Sequence, residues 1–244
     1  MRPRSGVELI DASVQFFRGN FAVLFTTTVV AFAPIAVAEY LAAIDPTNTL
    51  RSFTARIITW VFGSMAQAAA VHIVATRYVD EDVTAADALR AVWARLGTVM
   101  AATFVFGLLV GIGTLLLVFP GIYAATTYCV VMAAVMVEGL DSTSALRRSS
   151  ELTKGSKTRI LGIFLVAFVV YFLLVFVVAF ALGLLTSPGV TALGARLFMA
   201  VANPFLSVLL TLLYFDLRIR REGLDIDMMM TSPLPAAVTS VVTE

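Results

Sequence analysis

Two acidic residues, Glu138 and Asp216, are the strongest candidates for charge chemistry, because each closes a long apolar run of the sequence. A half-buried carboxylate that faces an arginine forms a strong, charge-assisted hydrogen bond that can be bidentate. The basic residues expected beside these carboxylates are Arg147, Arg148, Lys154, Lys157, Arg159 and Arg218. We therefore predict one ion cluster that ties the segment 142–154 to the ends of the two apolar runs.

The predicted cluster could have either of two functions. Ion pairs at a membrane boundary more often fix geometry than bind ligands, which favours a structural role. The alternative is that the basic side chains bind anionic lipid headgroups, to which juxtamembrane cations are attracted. The residues that would do so are Arg147, Arg148, Lys154 and Lys157.

Three polar side chains interrupt the apolar runs themselves: Gln67, His72 and Asn203. We expect them to form hydrogen bonds between helices, each stabilising the fold by roughly 0.6–2 kcal/mol. Asn203 precedes Pro204, and a proline frees a backbone carbonyl one turn back that the asparagine could reach. A proton-relay role for His72 is disfavoured, since no acidic residue lies in the middle of these runs.

The sequence excludes several other kinds of chemistry. One cysteine, Cys129, cannot build a disulfide framework, and a single histidine cannot build a zinc site that needs several His or Cys ligands. The same shortage leaves no acid–base constellation for an intramembrane enzyme. We therefore expect no catalytic residue, no metal site and no cofactor. With 17 Lys+Arg against 16 Asp+Glu, the chain is also no basic nucleic-acid binder.

The composition identifies the environment that these residues occupy. Of the 244 residues, 60% are apolar and 14% are charged, and the mean hydropathy is +0.95. A soluble domain usually has about 45–50% apolar and about 25% charged residues. The sequence therefore predicts an integral membrane protein.

Six runs are apolar and long enough to cross a hydrocarbon core of about 30 Å, which takes roughly 20 residues. They cover 21–42, 57–76, 98–119, 121–138, 160–185 and 195–215. The third and fourth runs meet at Phe119-Pro120-Gly121, where proline and glycine favour a tight reversal. The predicted fold is an all-α bundle of six transmembrane helices.

The distribution of basic residues predicts the orientation. All but three of the 17 Lys and Arg residues fall on one side of the six predicted helices; the three exceptions are Arg51, Arg56 and Arg196. Loops rich in Lys and Arg stay in the cytoplasm. We therefore expect both termini in the cytoplasm, with a membrane domain over 1–221 and a flexible cytoplasmic tail over 222–244.

Three short cytoplasmic segments, one before each predicted hairpin, have the pattern of amphipathic helices. They cover 7–18, 84–96 and 142–154, and Thr84 with Asp87 predicts a capping box at the start of the second. The apolar stripe of the third is weaker, because Ser149 and Ser150 occupy positions where apolar residues would help. We expect these helices to lie at the inner interface, either seating the hairpins or forming a collar that senses lipids or partners.

Five segments, in this order and spacing, resemble the membrane domain of glycerophosphoryl diester phosphodiesterase-like proteins and its stand-alone six-helix relatives. They are 119–123 (FPGIY), 136–139 (MVEG), 144–149 (SALRRS), 152–155 (LTKG) and 214–223 (YFDLRIRREG). The resemblance implies a multi-pass protein of a prokaryotic inner membrane. In the fused enzymes hydrolysis belongs to a separate soluble domain, for which this chain has no residues left over.

These observations favour a non-enzymatic membrane protein, a scaffold or accessory that organises lipids or partner proteins. Its predicted partners are membrane lipids and an unidentified membrane or cytoplasmic protein, and the sequence predicts no oligomeric state. The alternative is a transporter or lipid flippase for an unidentified substrate. Transporters usually contain broken helices and polar sites at mid-membrane; Pro34 and Asn203-Pro204 are the only signals for broken helices here.

Overall fold

A computed structural model describes residues 5–45, 47–185 and 188–222 of the chain. Over these ranges the backbone forms ten α-helices and no strand. The helices are α1 (Gly6–Gly19), α2 (Phe21–Ile44), α3 (Thr49–Tyr78), α4 (Ala85–Trp93), α5 (Leu96–Leu116), α6 (Val118–Tyr128), α7 (Val131–Val137), α8 (Ser142–Thr153), α9 (Lys157–Leu185) and α10 (Pro188–Glu222). Of the predicted tail, 223–244 lies outside the described residues.

Within the described residues, six helical segments are long and apolar enough to cross a membrane. Five of them are α2, α3, α5, α9 and α10, and the sixth consists of α6 and α7 together. The predicted all-α bundle with six such helices is confirmed, and the chain is a multi-pass membrane protein. The helix boundaries differ from the predicted ones, most of all in the second and the last helix. The second begins at Thr49 instead of 57. The last helix begins at Pro188 instead of 195, and it continues past 215 to Glu222.

The core lies where α3, α7 and α10 meet. Every residue of α7 from Val131 to Met136 is buried, and α3 contributes the consecutive buried alanines Ala68, Ala69 and Ala70. Small side chains let membrane helices approach closely, because in lipid the packing of surfaces drives association. Tyr78 of α3 stacks on Phe215 of α10, with their ring centroids 4.3 Å apart.

The reversal between the third and fourth apolar runs differs from the prediction. The chain turns at Leu117, whose backbone is extended, and Pro120 lies in the first turn of α6, where a proline costs no helical hydrogen bond. Gly121 is required because α6 approaches α5 closely at this residue. A Cβ there would lie 2.1 Å from the hydroxyl oxygen of Thr114 on α5, so only glycine permits this close approach.

The two proline signals for broken helices do not correspond to breaks. Pro34 lies inside the continuous helix α2, and Pro204 lies inside the continuous helix α10. The interruption instead falls in the fourth apolar run, where Cys129 and Val130 separate α6 from α7. The predicted single helix over 121–138 is therefore two helices.

Short helices occur at all three positions predicted before the hairpins. The capping box of Thr84 and Asp87 is present at the start of α4, and hydrogen bonds from Thr84 lower the pKa of Asp87. A second capping box, Ser5 with Glu8, begins α1. The buried residues of α8 are Ala145, Ser149, Leu152 and Thr153. Ser149, which was predicted to weaken the apolar stripe of this helix, therefore lies on its packed face.

Candidate functional site

Glu138, which directly follows α7, is the centre of an ion network that joins three helices. Arg148 of α8 donates from Nε to both carboxylate oxygens of Glu138, at 2.9 Å each. The hydroxyl group of Tyr214, on α10, donates a hydrogen bond to Glu138 Oε1. The structure thus brings together the predicted residues Glu138 and Arg148, and it adds Tyr214.

Glu222 supplies a second carboxylate to this network, although the sequence assigns it to the tail. Its Oε1 lies 2.5 Å from Arg148 Nη1, and its Oε2 lies 3.0 Å from Arg218 Nε. Arg218 also lies 3.8 Å from Glu138 Oε1. The hydrogen bond to Glu222 is the main cause of a raised pKa of Arg148. Two guanidinium groups and two carboxylates therefore balance in charge.

Asp216 belongs to a different set of contacts. Its Oδ2 accepts hydrogen bonds from Arg159 Nη1 at 2.7 Å and from Arg220 Nε at 2.9 Å. Only 3% of its side chain is exposed, so these two arginines compensate a buried charge. The prediction of one cluster that contains both Glu138 and Asp216 is corrected accordingly, because the two carboxylates recruit different arginines.

The other predicted basic residues are placed elsewhere. Arg147 is 83% exposed and pairs with Glu151 on its own helix, and Lys154 is exposed. The ammonium group of Lys157 lies 3.5 Å from the ring centroid of Tyr123 in α6, which is a cation–π contact. The structure therefore does not bring Arg147, Lys154 or Lys157 to the carboxylate of Glu138.

The backbone carbonyl of Thr127 is a further point of attachment for α8. It lies in the last turn of α6, where carbonyl groups lose their partners in the helix. It accepts hydrogen bonds from Ser149 Oγ at 2.9 Å and from Thr153 Oγ1 at 3.0 Å. Both hydroxyl groups are buried, so α8 satisfies a carbonyl group next to the interruption of the fourth apolar run.

Arg95 joins the start of α5 to the end of α7. Its Nη1 donates to the carbonyl oxygen of Val135 at 3.4 Å. Its guanidinium group also packs on Gly139, where a Cβ would lie 2.8 Å from Nη1. The backbone of Gly139 has a φ of +71°, which favours glycine. The sequence did not predict this contact, because Arg95 shows there only as a charged residue immediately before an apolar run.

Two of the three polar residues predicted within the membrane, Gln67 and Asn203, line cavities. The larger, of about 500 Å³, is mainly apolar, with lining residues from six helices that include Phe106, Met132, Tyr171 and Leu209. The smaller, of about 330 Å³, has four polar residues, Thr28, Gln67, Asn203 and Ser207, among its otherwise apolar lining. Gln67 lines both cavities, whereas His72 lines neither of these two. The structure thus brings Gln67 and Asn203 together but leaves His72 apart.

Comparisons with protein-family models, with curated proteins and with solved structures found no match to this chain. The resemblance to the membrane domain of phosphodiesterase-like proteins therefore stays a prediction.

Proposed function

We propose that this protein is a non-enzymatic membrane scaffold or accessory protein that organises lipids or partner proteins. The observation that carries the proposal is the position of Glu138, which is bonded at once to α8 through Arg148 and to α10 through Tyr214. A carboxylate that joins three helices favours one fixed arrangement over several. The location that we propose is a prokaryotic inner membrane, with both termini in the cytoplasm.

The charge balance of the network supports a structural role. Arg148, a candidate for lipid binding, and Arg218 already have carboxylate partners in Glu138 and Glu222. Breaking a partly buried pair leaves an uncompensated charge, which costs several kcal/mol. This cost opposes the repeated opening that transport through this end of the bundle would require.

The larger cavity supports an association with lipids. Its apolar lining and its volume of about 500 Å³ fall within the range of pockets that hold small apolar ligands. An acyl chain is the commonest apolar occupant that a bilayer offers.

The test is native mass spectrometry of the protein extracted with its surrounding bilayer in polymer nanodiscs. The scaffold proposal predicts a stoichiometric protein partner or a retained lipid. A Phe106→Trp variant, which fills the larger cavity, should lose a lipid held there, whereas Phe104→Trp on the exposed side of α5 should keep it. A retained water-soluble solute, with neither partner nor lipid, would overturn the proposal.

A second candidate function, a transporter or lipid flippase, is favoured by the smaller cavity with Gln67 and Asn203 in its lining and by the interruption at Cys129 and Val130. Proteoliposomes with a fluorescent lipid in both leaflets would test it by chemical bleaching of the outer leaflet. A flippase predicts bleaching beyond one half, which Gln67→Leu should slow and the exposed control Gln15→Leu should not. Bleaching that stops at one half in the native protein would count against lipid flipping.

A further inference from the structure

The tip between α5 and α6 is apolar and exposed over five consecutive residues. Their exposed fractions lie between 61% and 87%: Leu115, Leu116, Leu117, Val118 and Phe119. Leu117 provides no side-chain cap for the helix that follows it. In water such a patch would be costly, at about 25 cal/mol for each Å² of apolar surface. The tip therefore suits contact with hydrocarbon.

The connection between α2 and α3 has the opposite character. Thr47 donates a hydrogen bond to the carboxylate of Asp45, and the side chain of Asn48 accepts one from the backbone N–H of Arg51. These polar caps suit a turn at a water-facing boundary. The connection between α2 and α3 thus has the polar caps that the tip between α5 and α6 lacks.

The contacts of α8 and of Lys157 indicate the depth of α6 in the membrane. Ser149 and Thr153 bond to Thr127, and beyond the end of α8 Lys157 contacts Tyr123. Thr127 of α6 therefore lies at the depth of α8, and Tyr123 lies at the depth of Lys157.

The charges on α8 limit that depth. Its outer face exposes Arg147 and Glu151, and Lys154 follows it. A charged side chain at the centre of a bilayer costs about 2.5–3.5 kcal/mol or more, so α8 belongs at headgroup depth. Arg159, two residues after Lys157, is also paired with Asp216 at the polar end of α10. Tyr123, only four residues from the tip, therefore lies near the same membrane face as the ion network.

We infer that α5, α6 and α7 form a re-entrant hairpin whose tip, residues 115–119, ends among lipid acyl chains without reaching the aqueous phase on the far side. The chain between Arg95 and Glu138 has no charged residue, so charge counting cannot distinguish this hairpin from two full crossings. Both ends lie on one side in either case. The inference is independent of the proposed scaffold function.

The first experiment measures the reaction of single cysteines with a membrane-impermeant maleimide in proteoliposomes, in a Cys129→Ala background. Reaction requires a hydrated thiolate, so Leu117→Cys should react at least about tenfold more slowly than the control Thr47→Cys, with reagent on both sides. Both should react fully in SDS. Reaction of Leu117→Cys at the rate of Thr47→Cys would overturn the inference.

A second experiment separates a tip inside the hydrocarbon from one at the far headgroups. Phe119→Trp, in a Trp60→Phe and Trp93→Phe background, is quenched by lipids with bromine at different positions along the acyl chain. Bromines near the chain ends should quench most strongly. Stronger quenching by bromines close to the headgroup, or by aqueous iodide, would overturn the inference even if the cysteine reacted slowly.

Discussion

The hairpin of α5, α6 and α7 has two ends that are built by opposite rules. At one end, both carboxylate oxygens of Glu138 accept hydrogen bonds from Arg148, and Oε1 accepts another from Tyr214. At the other end, five large apolar side chains, residues 115–119, are exposed. Each arrangement would be unfavourable at the other position, because lipid penalises unpaired polar groups and water penalises exposed apolar ones.

This contrast shows where the stability of the fold resides. The polar end contains contacts between distant parts of the chain, so a substitution there removes interactions that folding creates. The side chains of the tip are exposed, so a substitution there removes few interactions within the protein. The two ends should therefore respond very differently to mutation.

The largest loss of stability expected at the polar end of the hairpin follows from Glu138→Ala. It leaves Arg148 and Arg218 with one carboxylate, Glu222, and it removes the acceptor of the Tyr214 hydroxyl group. Removal of one partner of a buried pair costs about 3–5 kcal/mol. We expect a loss near the lower end of that range, because the side chain is partly exposed. Unfolding in bicelles by titration with SDS, followed by circular dichroism, measures it.

The matched control is Glu151→Ala, which removes the exposed partner of Arg147 and should cost no more than about 1 kcal/mol. Equal losses for the two variants would show that the network does not stabilise the protein.

An intermediate loss is expected when α8 can no longer bond to Thr127. The double variant Ser149→Ala, Thr153→Val leaves this buried carbonyl group without its two hydroxyl donors. An unsatisfied buried acceptor costs about 1–3 kcal/mol. Each single variant should cost less, because one donor remains.

The same SDS titration measures these losses, and Ser150→Ala on the neighbouring position of α8 is the control. If the two hydroxyl groups share one acceptor, either of them can partly compensate for the loss of the other. Losses in the two single variants that add up to the loss in the double variant would therefore contradict a shared acceptor.

The sequence predicted the features of the fold that depend on one segment of the chain at a time. Apolar length alone predicted the six membrane-length helices, because the bilayer sets the number of residues that a crossing needs. The acidic residues that close apolar runs also directed attention to Glu138 and Asp216, and the structure places both in contact with arginines. Local composition carries this information.

The partners of those residues depend on tertiary packing, which the sequence pattern does not contain. Glu222 follows Arg218 by four residues, a helical spacing that could have signalled the pair, but the Gly and Pro residues beyond it suggested a tail. The bond of Ser149 to Thr127 could not be predicted. It depends on an interruption at Cys129 and Val130, where neither glycine nor proline marks the break.

A much smaller effect is expected at the tip. Leu116 is exposed, so Leu116→Ala should change the free energy of unfolding by less than about 0.5 kcal/mol, as for other exposed positions. Leu213 on α10 is fully buried, and the matched substitution Leu213→Ala should cost about 2–5 kcal/mol. Both are measured by the SDS titration. A large loss for Leu116→Ala would indicate that the tip packs against protein, and the contrast between the two ends would then fail.

The smallest effect at neutral pH is expected for Asp141→Asn, because asparagine is also a good N-cap residue. Asp141 caps α8, and hydrogen bonds from Ser144 and Thr143 lower its pKa. A carboxylate with a lowered folded-state pKa stabilises the fold above its unfolded pKa of about 3.9. That contribution disappears as the pH falls towards the folded pKa. Thermal unfolding between pH 7 and pH 3 should therefore show a weaker acid dependence for Asp141→Asn than for the native protein. The tip contains no titratable group, so Leu116→Ala should keep the native acid dependence. If Asp141→Asn kept it as well, the acid sensitivity would belong to carboxylates other than the cap of α8.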